Sequence, residues 1–105
     1  MAERLLWRSE AAPHFALEGE LDRETLLSLW PQREKLLPAG ESVLDLSRLS
    51  RIDSAGLAFL MTLLVDAERR GSQCRLVQVP LAMQTLISLS NLTEIMAPYM
   101  PSGTN

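Results

Sequence analysis

No part of the chain leaves fewer choices of fold than the passage around Asp53. A short, nearly continuous apolar run, Val43-Leu44-Asp45-Leu46, leads through Ser47-Arg48-Leu49-Ser50-Arg51-Ile52 to Asp53-Ser54, and then into the longest apolar segment, Leu57 to Val65. Asp and Ser are strong N-cap types, because their short side chains accept hydrogen bonds from the free N–H groups of a first helical turn. The run before them is expected to be a central strand covered on both sides, the stretch from Ser47 to Asp53 a polar loop, and Ser54 to Arg70 a helix closed by Gly71 as a left-handed cap. Such a corner can bind an anion, accept a phosphate or fit a partner, and it can also be no more than a well-capped helix.

The flanking segments support this unit. Leu5 to Arg8 and His14 to Glu18 read as a hairpin about a turn containing Pro13, with Phe15 and Leu17 facing a core and His14, Ala16 and Glu18 facing away. Gly19-Glu20-Leu21-Asp22 closes that strand, and Asp22 can cap an amphipathic helix from Arg23 to Leu37, kinked or restarted at Pro31. Trp30 falls towards the rim of its apolar stripe. On the later helix Leu57, Leu60, Met61, Leu64 and Ala67 form the core stripe, whereas Phe59 falls roughly opposite with Leu63 and Val65 on its shoulders. That surplus apolar surface is expected to be covered by a neighbouring helix or by another protein. Cys74 to Val79 reads as a buried strand, and Pro80 opens a helix through Met83, Leu86 and Ile87 that Asn91 stops. Leu92 to Tyr99 fits either a helical turn or a short strand. Strands alternating with helices imply an α/β layer with parallel crossovers in its second half, a single domain over 1–100 and a disordered tail over 101–105.

Composition narrows the chemistry. A chain of 105 residues with 47% apolar residues and a net charge of −3 can bury one core, and it lacks the basic face that nucleic-acid binding requires. One cysteine excludes an internal disulfide and fits a reducing compartment. Glu3, Arg4, Arg8 and Glu10 interrupt any signal-peptide core, and the longest apolar run is far short of the roughly 20 residues that cross a bilayer. The glycines are isolated, which argues against a phosphate-cradling loop, and one His and one Cys on different strands make a poor metal set. Ser54 as a nucleophile would need His14 as its base, and nothing in the spacing brings them together. The expectation is therefore no enzymatic activity, no cofactor and no metal, with a hydrolase centred on Ser54 as the least favoured reading. Arg48 and Arg51 can steer an acidic partner or hold a phosphate on Ser54, although loop arginines are more commonly just solvated.

Three segments taken together, Gly19-Glu20-Leu21-Asp22, Val43-Leu44-Asp45-Leu46-Ser47 and Ile52-Asp53-Ser54-Ala55-Gly56-Leu57, resemble the STAS domain of anti-sigma factor antagonists and sulfate-transporter tails. The resemblance covers roughly Leu5 to Ile95, with the family's last strand and helix shortened or missing after Asn91. It implies a small mixed sheet of about four strands with helices packed mainly on one face. Within the family the chain most resembles the small STAS subunit of Mla-type phospholipid-transport ABC complexes of Gram-negative bacteria. This implies a cytoplasmic, non-catalytic subunit that binds the transporter's ATPase, reaches the inner membrane only through that complex, and helps maintain outer-membrane lipid asymmetry. The expected partner surface comprises Ser54, Asp53, Arg51, Gly56, Leu57, Phe59 and Trp30. The alternative is an anti-sigma factor antagonist controlled by phosphorylation of Ser54, the position where such antagonists carry their phosphorylated hydroxyl.

Overall fold

The computed structural model describes residues 4–100. Within them one sheet has the order β1-β2-β3-β4, formed by β1 (Leu5–Ser9), β2 (His14–Leu21), β3 (Gly40–Ile52) and β4 (Ser72–Val77). β1 and β2 form the expected antiparallel hairpin, with Trp7 opposite Leu17. The pairs β2–β3 and β3–β4 are parallel, placing Phe15 opposite Leu44 and Leu44 opposite Leu76. Helix α1 (Ser54–Arg69) joins β3 to β4, after which Gly71 takes a left-handed turn with φ +83°. Helix α2 (Leu81–Leu89) starts after Pro80 and ends before Asn91, whose φ is +60°. The open question about Leu92 to Tyr99 resolves as helix, with α3 (Thr93–Met96) followed by a 3-10 turn, Ala97–Tyr99. The tail expected at 101–105 lies outside the described residues.

The helices cover one face of the sheet. Leu17, Leu44, Leu46 and Leu76 from the strands join Leu57, Leu60 and Leu64 of α1 and Met83 and Ile87 of α2 in one buried cluster. Two successive crossovers that step the same way along a sheet and share a right-handed sense must lie on the same side, which leaves the other side open. Val43 and Asp45 on that open side are only partly buried, so the expectation that Val43 to Leu46 is covered on both faces is corrected. Ala16 is fully buried although it shares the open face, because its methyl lies in one row between the longer side chains of Arg8 and Asp45.

Two further expectations are corrected. The polar stretch from Ser47 to Ile52 is strand rather than loop, and the strand expected to end at Glu18 continues through Gly19 and Glu20 to Leu21. Register shifts between Ala16 and Glu18 and between Gly19 and Glu20 each add a residue to β3, and every such bulge resets the in-out alternation. Leu46 and Leu49 both reach the core as a result, while Ser47 and Arg48 between them face solvent. Ser50 Oγ donates to the Gly19 carbonyl at 3.0 Å, which satisfies backbone at the second bulge.

The helix expected over Arg23 to Leu37 is instead a pair of 3-10 turns, Thr25–Ser28 and Trp30–Lys35. Pro31 cannot donate to the preceding turn, and its ring disfavours helical backbone at Trp30. The tighter turn takes over, with Leu29 N donating to Leu26 O at 3.0 Å and Gln32 N to Leu29 O at 3.1 Å. These turns pack against α1 and cover Phe59, which is only 2% exposed, and Leu63, which is also buried. The surplus apolar face read for α1 is therefore closed by this chain's own β2–β3 connection.

Candidate functional site

The corner before α1 is held from both neighbouring strands. Asp53 has extended backbone, φ −115° and ψ −177°, and its Oδ1 accepts the Gly56 N–H at 2.8 Å, as an N-cap should. Its Oδ2 accepts the Arg23 N–H at 3.1 Å, and its own N–H donates to Leu21 O at 3.3 Å. One carboxylate thus ties the helix start to the segment leaving β2. Gly56 completes the seat, because a Cβ there would collide with the Leu21 carbonyl oxygen and crowd the Leu21 side chain. What Gly56 admits closely is the chain's own β2 end.

Asp22 is the second anchor. Its Oδ1 accepts the N–H groups of Glu24 and Thr25, each at 2.9 Å, and Arg4 donates to its Oδ2 at 2.7 Å. Thr25 Oγ1 accepts the Asp22 N–H at 2.9 Å and donates to Glu20 O at 2.8 Å. The Thr25 and Glu24 N–H groups and the Arg4 guanidinium hold the Asp22 carboxyl below the usual carboxylate range against the opposing effect of burial.

Asp22, Arg23, Glu24, Arg51, Asp53, Ser54 and Ala55 line one open depression at the carboxyl ends of β2 and β3. In open α/β sheets this end is where ligands and partners usually gather. Ser54, the first residue of α1, is exposed, and its hydroxyl has no hydrogen-bond partner among the described residues. Arg51 is also exposed. Trp30 is 39% exposed, with its ring centroid 6.2 Å from that of Phe59 and the Arg33 guanidinium carbon 4.0 Å from its own ring centre. Phe59 lies five residues along α1 from Ser54, roughly 7.5 Å of rise and about 140° around the helix, so Trp30, which does not line the depression, marks a separate exposed patch.

The expected surface therefore separates into two sets. Ser54, Arg51 and Trp30 present side chains outward, and Asp53 holds the corner. Gly56, Leu57 and Phe59 are buried in this chain's core, so their expected place on a partner surface is corrected: they seat α1 and offer no side chain to a partner. Arg48 does not flank the site with Arg51, because it pairs with Glu10 at 3.1 Å on the open sheet face. Sequence reasoning missed Arg23 and Glu24, whose signal was the Asp22 cap just before them. His14 starts β2 while Ser54 follows the far end of its neighbour, a separation of about 23 Å along the strand, so the two form no nucleophile–base pair. Burial pushes the Cys74 thiol up to about 11, which keeps it protonated at neutral pH. Among the described residues, no helix is long and apolar enough to cross a membrane.

A family model described as Mlab, STAS domain matches residues 6–98. The chain belongs to the STAS domain family. Within it, the chain is 40% identical over 98 residues to the Escherichia coli (strain K12) intermembrane phospholipid transport system binding protein MlaB, covering 93% of this chain and 99% of that one. The Haemophilus influenzae MlaB is also 40% identical, over 80% of this chain and 85% of its own. Among solved structures, the STAS fold recurs in the unphosphorylated anti-sigma factor antagonist SpoIIAA, with a TM-score of 0.63 and 15% identity over 95% of this chain and 89% of that one. A sulfate transporter family protein from Wolinella succinogenes matches with a TM-score of 0.66 and 15% identity over 89% and 80%. At these identities the two structures speak for the fold alone.

Proposed function

We propose that this STAS domain is a non-catalytic subunit of a phospholipid-transport ABC complex, and that it docks on the complex's ATPase through Ser54, Arg51 and Trp30. The observation that carries the transport assignment is 40% identity to MlaB across almost the full length of both chains. What supports the docking face is the exposed Ser54 and Arg51 at the corner that Asp53 caps, together with the half-exposed Trp30 on the neighbouring β2–β3 connection. A rigid aromatic anchor with polar groups around it is the usual makeup of a binding hot spot. Through the ATPase the subunit would sit at the cytoplasmic face of the inner membrane, and it would support assembly or activity of a complex that maintains outer-membrane lipid asymmetry.

The test is co-purification with the ATPase encoded by the same organism. Ser54→Arg and Trp30→Ala are each expected to lose the complex while keeping the wild-type melting midpoint within a few degrees. Normal binding by both variants would place the interface elsewhere.

A further inference from the structure

The acidic and basic groups of the depression differ in how far they are already engaged. Asp53 holds two backbone N–H groups, and Asp22 holds two backbone N–H groups and Arg4. Glu20 and Glu24 are also paired with Arg4, at 2.6 and 3.4 Å. Arg23 and Arg51, in contrast, form no ion pair and donate no side-chain hydrogen bond to another described residue. Of the other arginines, Arg8 is occupied by Glu18, Arg48 by Glu10, and Arg33 by the Trp30 ring and carbonyl, whereas Arg75 is also unpaired but lies on β4, away from the depression.

Topology brings the two free guanidinium groups together. Glu20 lies opposite Arg51 and Leu21 opposite Ile52, so Arg51 near the end of β3 and Arg23 just past the end of β2 leave the sheet at one place. Both line the depression that also holds Ser54. Arg23 and Arg51 are thus the unpaired charges of the depression, whereas its carboxylates, Asp22, Glu24 and Asp53, each already hold at least one partner.

We infer that this depression receives an acidic side chain, Asp or Glu, of the protein partner, held between Arg23 and Arg51 beside Ser54. The inference rests on the docking face proposed above and names the chemistry of what docks there. Guanidinium–carboxylate pairs are short, directional and frequently bidentate, which suits them to fixing the orientation of a partner. The chain as a whole carries −3, so this is local recognition against an unfavourable overall charge, and it contributes specificity more than bulk attraction.

The experiment measures binding of the full chain to the purified ATPase across a salt series, for the wild type, Arg23→Gln, Arg51→Gln, the double variant and Ser54→Arg. Both arginines are exposed, so unchanged melting midpoints are expected and are checked first. Each single variant is expected to bind about tenfold more weakly at low salt, and the double variant to show a markedly flatter salt dependence. A double variant with wild-type affinity and wild-type salt dependence, while Ser54→Arg loses binding, would overturn this inference and leave the docking face standing. Normal binding by Ser54→Arg and Trp30→Ala together would overturn both. Arginine-dependent binding of the chain to anionic phospholipid vesicles without the ATPase would assign the depression to a lipid surface and overturn the protein-acid reading.

Discussion

The two crossovers that carry the chain between parallel strands are built by opposite means. Between β3 and β4, α1 runs 16 residues without a break and buries seven of them, Phe59 included. Between β2 and β3, the two 3-10 turns bury none of their own residues, and the apolar contribution comes from Leu29, Leu36 and Leu37 at their junctions and ends. An α-helix aligns positions three, four and seven apart into one continuous stripe, whereas short 3-10 turns interrupted at Leu29 and kinked at Gln32 cannot keep a stripe in phase. Leu27, 64% exposed, and Trp30 are what remains outside. The regular crossover buries its apolar residues in the core, and the irregular one leaves apolar side chains exposed.

That contrast can be broken most directly by deleting side chains from each crossover. Leu60→Ala on α1, where the side chain is fully buried, is expected to destabilise by about 2–5 kcal/mol, whereas Leu27→Ala should change stability by less than about 0.5 kcal/mol. Denaturant midpoints of the two variants would measure this, and comparable losses would end the distinction. Gly56→Ala comes next. Alanine gains about 1 kcal/mol of helix propensity, but its Cβ must displace the Leu21 backbone carbonyl, so a net loss of about 1–3 kcal/mol is expected. A stabilised variant would show that α1 sits away from β2.

Smaller effects sharpen the account of how the crossovers are joined. Asp53→Ala removes the cap of α1 and the bond to the Arg23 N–H, and is expected to cost about 1–2 kcal/mol, most of it restored by Asn. If Asn restores nothing, the bond depends on charge rather than on capping geometry. The last test is pH. Because the folded Asp22 carboxyl lies below its ordinary range, the unfolded chain binds more protons in acid. Its contribution is then fully present above the ordinary aspartate pKa of about 3.9 and is lost as pH falls through the lower folded value. Asp22→Asn should flatten the acid limb of the stability–pH curve, and an unchanged limb would remove Asp22 from it.

Much of the molecule was legible from local chemistry. The hairpin, α1 with its Asp53 cap and Gly71 stop, the buried Cys74 strand and the Pro80-to-Asn91 helix all rest on residues whose backbone preferences act within a few positions, and the structure agrees with each. The stretch from Ser47 to Ile52 is not legible as strand because a bulge is a relation between two strands: the polar pair Ser47-Arg48 looks like a loop until Ala16 and Glu18 are placed beside it. The burial of Phe59 is not legible in a helical wheel, which describes one helix only, whereas Trp30 of the β2–β3 connection packs against it in the fold.

By itself the sequence determined that a capped corner joins a strand to a long apolar helix, and that Ser54 stands at its first turn. These follow from side chains meeting their own neighbouring backbone, which needs no distant partner. Only the tertiary structure decided which groups the corner leaves free. Gly56 and Phe59 are absorbed by β2 and by the β2–β3 connection, Arg48 is withdrawn to Glu10, and Arg23 is brought to the same depression as Arg51. A residue's freedom to meet a partner depends on everything that reaches it first, and that is a property of packing between segments far apart in the chain.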